Sequence, residues 1–583
     1  MTKKLLLLIV PTLIVQTLFS QKQTSRPDDK LISNTAIDSV TQKLMDAAGV
    51  TGLSLGIVND NKISYVKSYG YKNKATNQLS DTATTYYAAS FSKSVFAYLV
   101  MQLVDKGIIN LDKPLYKYLP KPLPEYENYK DLAGDERWKL ITARYCLSHT
   151  TGFPNWRQLN PNDNQKLEIF FAPGKRFAYS GEGIYLLQLV IETITKRKLE
   201  DLAQENIFKP AGMTRSSFLW QKSFEANYAV GHDKNEDTLS KIKRTEANAA
   251  GSMETTITDY TRFVASVMQG KGLSSKSKQQ MLSPQISIFT KQQFPSLNND
   301  TTSKNKNIQL SYGLGWGLFK SVYGWAFFKE GHSDDGWQHY TVSFPDKKYA
   351  IVIMTNSLNG ESIFKELIEQ ISGVTIPWEW EGYTPYKPTI KVSEKILEQY
   401  IGDYDGRTKA TISLVNGQLK VESQTEGLAK TNLYPENENH FFMKSMPISI
   451  EFVKSINGGF KKIIVNDEGE IYELNKVNNI VSTQTTKDTS NTDIKSSKNA
   501  LSTYIGKYVL KDNSKKTLVI ELQEDYLIAK ISGQESLELI FTSDTKFKFK
   551  SVIEIKGEFI NENGKITKLI VEQNGKYEWR KIE

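Results

Sequence analysis

Ser90 and Lys93, in the run Ser90-Phe91-Ser92-Lys93, are residue types that could together open an acyl group. A serine hydroxyl is a weak nucleophile at neutral pH and needs a neighbour to take its proton, which a desolvated lysine amine or an adjacent tyrosinate can do. Val95, Leu99 and Leu103 recur at helical spacing up to Gly107, which predicts a helix starting at Ser90. Lys93 then stands on nearly the same face, within reach of the hydroxyl. The helix N-terminus adds partial positive charge and free backbone N–H groups where an oxyanion would form. The chemistry would be acyl transfer through a serine ester. The same four residues also describe an ordinary serine helix cap, so the motif alone leaves both readings open.

The elements around it predict an α/β (α+β) domain. Ile37 to Ala48 reads as a helix, and Gly52 to Val58, the turn Asn59-Asp60-Asn61 and Ile63 to Tyr69 read as a β-hairpin. A second hairpin, Thr341 to Phe344 and Tyr349 to Thr355 about the turn Pro345-Asp346-Lys347-Lys348, is followed by a helix from about Glu361. Hairpins at both ends with helices between them predict one antiparallel sheet flanked by helices. Beyond Pro377 the pattern becomes short alternating strands. There Tyr400-Ile401-Gly402-Asp403-Tyr404 recurs as Tyr504-Ile505-Gly506-Lys507-Tyr508. Phe441 and Phe442 have counterparts in Phe547 and Phe549, and Ile463 to Val465 has one in Leu569 to Val571. Two small antiparallel β-barrel-like domains are expected. Ser482 to Ser497, polar and almost without apolar residues, reads as a linker. The expected divisions are a signal peptide at 1–20, a main α/β (α+β) domain at 35–375, β-domains at 395–478 and 499–583, and a linker at 479–498.

Seven phrases occur in order around Ser90: Ala89-Ser90-Phe91-Ser92-Lys93-Ser94, Asp105 to Pro114, Cys146 to Gly152, Phe177 to Gly181, Pro210-Ala211-Gly212-Met213, Ala250-Gly251-Ser252-Met253 and Gly331-His332-Ser333-Asp334. They resemble the family of class C β-lactamases, DD-peptidases and related esterases, which are penicillin-binding-protein-like serine hydrolases with a β-lactamase/transpeptidase-like fold. The resemblance implies Ser90 as nucleophile and Lys93 as its activating base. It implies Tyr179, at the tyrosine of a Tyr-x-Asn motif, as a proton relay, and the Lys93 ammonium would favour its tyrosinate form. Gly181 stands at the third position of that motif, where the family's asparagine holds a substrate amide. His332 and Ser333 match a Lys/His-Thr/Ser-Gly strand motif. The N–H of the following residue, here Asp335, would complete the oxyanion hole. Asp334 replaces the motif glycine, and a carboxylate there opposes an oxyanion unless it is paired or points away.

Composition narrows the class further. With 583 residues the chain exceeds one ordinary core. Its net charge of +9 comes from lysines interleaved with acids, a solvated surface rather than a nucleic-acid arm. Lys3 and Lys4 precede an apolar run from Leu5 to about Phe19 and then Ser20, the pattern of a secretory signal peptide, which predicts a periplasmic or secreted protein with no stable membrane span after its removal. The sole cysteine, Cys146, reads as a buried hydrophobe, and the five histidines show no zinc-ligand spacing. His149 reads as support for its loop. No cofactor and no metal are expected. The expected partner is a small-molecule or peptide substrate, with cell-wall peptides among the options; the sequence sets no oligomeric state. The absent asparagine favours a peptidase or esterase over a dedicated β-lactamase. The rival class is a non-catalytic wall-peptide binder or sensor that retains the fold.

Overall fold

The computed structural model of the protein describes residues 22–477 and 501–582, except for 163, 424–427, 455–458, 512, 524–525, 532–536, 542, 544, 550–551, 563–564 and 573–575. The expected signal peptide and linker lie outside the described residues. Helix α1 (Asn34–Ala48) starts where the Ser33 hydroxyl accepts the Ala36 N–H at 3.1 Å and stops at Gly49, whose φ of 71° an L side chain resists. The two expected hairpins are β1 (Gly52–Asn59) with β2 (Lys62–Asn73), and β5 (Trp337–Phe344) with β6 (Tyr349–Thr355). Between them lie α2 (Phe91–Asp105), α3 (Gly181–Thr195), α4 (Ile257–Gln269), β3 (Gly317–Ser321) and β4 (Gly324–Ser333); α5 (Phe364–Ser372) follows β6.

One nine-stranded antiparallel sheet runs in the order Gln78–Leu79, β2, β1, β6, β5, β4, β3, Ser311–Tyr312, Ile286–Ser287. Pairing of Leu55 with Ile353 closes the domain by joining its first hairpin to its last. Strand alternation on β6 then separates two cores. Ala350, Val352 and Met354 pack with α2 and α4, whereas Ile351 and Ile353 pack with Ile37 and Leu44 of α1 and Leu367 and Ile368 of α5. Each fully buried aliphatic side chain contributes about 1.5–3 kcal/mol. Helix α2 is more enclosed than its Val95, Leu99, Leu103 stripe implied: every residue from Phe91 to Leu103 is buried. A helix apolar on nearly all sides belongs inside a core, and this burial takes Lys93 out of water.

The strand β4 positions the site. It pairs with β5 as far as Ser333, but with β3 only as far as Phe328. From Lys329 onward its other edge therefore has no strand partner among the described residues. Gly331 lies on this stretch, where an added Cβ would come within 3.0 Å of the Ala88 carbonyl oxygen, so the strand runs against the turn that leads into α2.

The C-terminal repeats form two antiparallel barrel-like sheets. The first is a nearly closed nine-stranded sheet whose end strands, Leu428–Asn432 and Tyr434–Pro435, are separated only by Leu433. It belongs to one compact unit with the hydrolase domain, and Lys444 donates to the Ala48 carbonyl at 2.7 Å. The second, in a separate compact unit, is a closed eight-stranded barrel in simple chain order. The repeated motif makes the same bond in each: Tyr404 donates to the Tyr400 carbonyl at 2.8 Å, and Tyr508 to the Tyr504 carbonyl at 2.8 Å.

Candidate active site

The turn before α2 holds Ala89 at a φ of 45°, a left-handed conformation that costs a residue with a Cβ about 1–2 kcal/mol. Ser92 stabilises it by donating to the Ala89 carbonyl at 2.7 Å and accepting the Met253 N–H at 3.0 Å. Ser90 itself has helical dihedrals, φ −69° and ψ −5°, and its side chain makes no capping bond. It is therefore not an ordinary helix cap. Its hydroxyl is half-buried and turned to Lys93, whose Nζ lies 3.0 Å from Ser90 Oγ.

Lys93 also donates to the Ala250 carbonyl at 2.6 Å, and the Ala250 N–H is in turn held by Asn248 Oδ1 at 2.8 Å. Burial pushes the Lys93 amine well below the ordinary lysine range, and the Lys329 charge pushes it further the same way. A neutral amine has two N–H groups and one lone pair. With one hydrogen on the Ala250 carbonyl, the lone pair can take the Ser90 proton.

Tyr179 borders this pair, with Lys93 Nζ 5.1 Å from its ring centroid. The expectation of a tyrosinate does not hold. Burial pushes the phenol well above its ordinary range, and the Glu330 carboxylate adds to that. Tyr179 is thus a neutral phenol that can give a proton to a departing group. A residue that sequence reasoning missed completes the cluster: Lys329 Nζ lies 3.0 Å from the Tyr179 hydroxyl and 2.7 Å from Glu330 Oε1, fully buried. Gln293 Nε2 donates to the same Glu330 oxygen at 2.9 Å. The available signal was the spacing Lys329-Glu330-Gly331, a lysine two residues before a glycine and three before His332.

The strand residues fall differently from the expected register. Gly331, not Asp334, is the one packed against the Ser90 turn. His332 lies at the rim with 48% of its side chain exposed, its Nε2 3.1 Å from Asp334 Oδ1 and its Nδ1 3.5 Å from Glu361 Oε2. Burial lowers its pKa, but the bonds to Asp334 and Glu361 outweigh that and raise it to about 10. Asp334 points away, with its side chain 99% exposed and paired to His332, so it does not oppose an oxyanion at Ser90. Ser333 donates to the Asp335 carboxylate. The Asp335 backbone packs on Gly231, where a Cβ would come 1.9 Å from its carbonyl oxygen, and Asp335 Oδ2 lies 3.7 Å from Arg244. Ser333 and Asp335 are thus joined to each other, and the Asp335 backbone lies against the Gly231 segment.

Gly181 begins α3, and its missing side chain is filled. An added Cβ would come 2.3 Å from the Trp156 indole, which also lies 5.4 Å from Lys93 Nζ. Phe294, 41% exposed, meets the Tyr179 ring at 5.4 Å. His149 supports its loop, as expected: it is buried, and its Nδ1 accepts the Ser180 N–H at 3.1 Å. Cys146 is buried, and burial pushes its thiol out of the reactive range. Among the described residues no helix is long and apolar enough to cross a membrane.

Comparison with known proteins bears on the same region. The model of the family described as Beta-lactamase matches residues 37–374. Penicillin-binding protein 4* of Bacillus subtilis (strain 168) is 22% identical over 447 residues, covering 70% of this chain and 91% of that protein. Protein flp of Staphylococcus aureus (strain MRSA252) is 24% identical over 358 residues, 58% of this chain and 66% of that one. Among solved structures, the octameric penicillin-binding protein homologue from Pyrococcus abyssi has a TM-score of 0.47 at 21% identity, covering 76% of this chain and 100% of its own. The D-alanine carboxypeptidase AmpC from Burkholderia cenocepacia has a TM-score of 0.46 at 19% identity, covering 58% and 97%.

Proposed function

The chain belongs to the Beta-lactamase family, a family of serine hydrolases, and we propose that it hydrolyses a small ester or a peptide with a D-residue through an acyl-enzyme on Ser90. The observation that carries this is the 3.0 Å approach of Lys93 Nζ to Ser90 Oγ in a site where burial favours the neutral amine. In the proposed sequence Lys93 takes the hydroxyl proton as Ser90 Oγ bonds to the substrate carbonyl carbon. The N–H groups of Ser90 and of His332, the residue after Gly331, hold the resulting oxyanion. Collapse expels the leaving group, which takes a proton from the Tyr179 hydroxyl, and the proton held by Lys93 replaces it. Water then attacks the ester, its proton passing back through the same pair, and frees Ser90 and the acid product.

The substrate class rests on the resemblance to penicillin-binding protein 4* and on Gly181, which offers no side-chain amide and so fits a dedicated β-lactamase poorly. Export is part of the proposal, supported by Lys3, Lys4 and the apolar run that follows them. The experiment is turnover of p-nitrophenyl esters, D-amino-acid peptides and a chromogenic cephalosporin. An initial burst of p-nitrophenol equal to the enzyme, absent in Ser90→Ala, is expected. No turnover across the panel would instead favour the binding-protein alternative.

A further inference from the structure

Trp156 occupies the place that a side chain at position 181 would take. Its indole carbons lie 2.3 and 2.4 Å from where a Cβ on Gly181 would stand, nearer than any real contact. The indole at this place therefore requires glycine at 181. The ring is not there by loose collapse, because both its neighbours are fixed to the start of α3. The Asn155 carbonyl accepts the Gly181 N–H at 3.0 Å and the Glu182 N–H at 3.2 Å, and Asn155 Oδ1 also accepts from Gly181 at 3.0 Å. On the other side Arg157 meets Glu182 by two side-chain bonds, at 3.0 and 2.8 Å, and its N–H donates to the same carboxylate at 3.1 Å. The indole also packs on Tyr185, one turn further along α3, at 5.5 Å. Trp156 is only partly buried, unlike the fully enclosed aromatic residues of the core, and it lies 5.4 Å from Lys93 Nζ.

We propose that Trp156 is a specificity-determining residue, an apolar wall that selects substrates with an extended apolar acyl group in place of an amide. This inference rests on the serine-ester reading given above. The leaving atom sits at the Tyr179 hydroxyl to receive its proton, and the proposal sets the acyl portion against Trp156, whose indole lies 5.4 Å from Lys93 Nζ. A side-chain amide at 181 would reward a polar acyl substituent there. The indole offers dispersion and desolvation only, and an amide laid against it would lose its hydrogen bonds to water without replacement.

The experiment compares kcat/KM for p-nitrophenyl hexanoate and p-nitrophenyl acetate, which share a leaving group. Trp156→Ala should lower the hexanoate-to-acetate ratio about tenfold, the usual discrimination of an apolar pocket. Gly181→Ala, which pushes the indole aside with Trp156 retained, should lower it in the same direction and stands in if the first variant does not fold. Fluorophosphonate labelling of Ser90 is followed in parallel. Labelled variants with unchanged ratios would overturn the role of Trp156 and leave the serine-ester reading intact. Failure of the wild-type protein to label would overturn that reading, and this inference with it.

Discussion

Lys329 Nζ lies 3.0 Å from the Tyr179 hydroxyl, and both residues are almost fully buried. A buried ammonium is tolerable only when paired, and Glu330 supplies the charge at 2.7 Å. Glu330→Gln leaves Lys329 without its counterion and should destabilise the protein by about 3–5 kcal/mol, read as the shift in a urea unfolding curve. Adding Lys329→Met should recover part of that loss. Equal stability of Glu330→Gln and wild type would show that the pair is not desolvated.

Lys93 must lose its charge to act as a base. Because its pKa is depressed, first by burial and then by Lys329, the neutral fraction rises with pH and saturates below the ordinary lysine value. The rate of Ser90 acylation should therefore climb with pH and level off before that value. Lys93→Arg keeps the charge but cannot deprotonate, and should slow acylation by about 10²–10⁴. Near-normal rates in Lys93→Arg would exclude Lys93 as the base.

The packing of β4 on the Ser90 turn separates Gly331 from Asp334. Gly331→Ala places a methyl group 3.0 Å from the Ala88 carbonyl, a backbone atom that cannot swing aside, and should slow acylation by about tenfold or more by moving one oxyanion donor. Asp334→Ala, at an exposed position, should change the rate little. The reverse result would restore the register in which Asp334 stands at the motif glycine.

His332 carries a pH signature of its own. Its pKa in the folded protein is raised to about 10 from an ordinary 6.5, so its contribution to stability is fully present below about pH 6.5 and is lost as pH rises through about 10. The Tm difference between wild type and His332→Gln should thus shrink over that interval. Solvent screening at this half-exposed rim keeps the effect small. NMR titration of the imidazole checks the same claim directly, and an ordinary midpoint would contradict it.

How much of this was legible depended on sequence distance. Ser90 and Lys93 share one helical turn, so their contact follows from helix geometry. The two hairpins were legible because strand alternation and turn residues are local signals, and the paired tyrosines at 400 and 404 and at 504 and 508 marked both barrels. Lys329 was missed because a Lys-Glu pair in a strand reads as a solvated face. Only the enclosure of β4 by Gln293, Tyr179 and the α2 turn, all distant in sequence, makes it a buried pair. The meeting of Trp156 with Gly181 is equally invisible locally, since it depends on the loop from Asn155 to Arg157 being fastened to α3.

The central claim is that Ser90 is a nucleophile activated by Lys93. Intact-mass measurement after exposure to a fluorophosphonate tests it most directly. The account predicts one adduct on the wild-type protein, none on Ser90→Ala and a much slower adduct on Lys93→Arg. A wild-type protein that takes no adduct, or a Ser90→Ala protein that is labelled as readily, would contradict it.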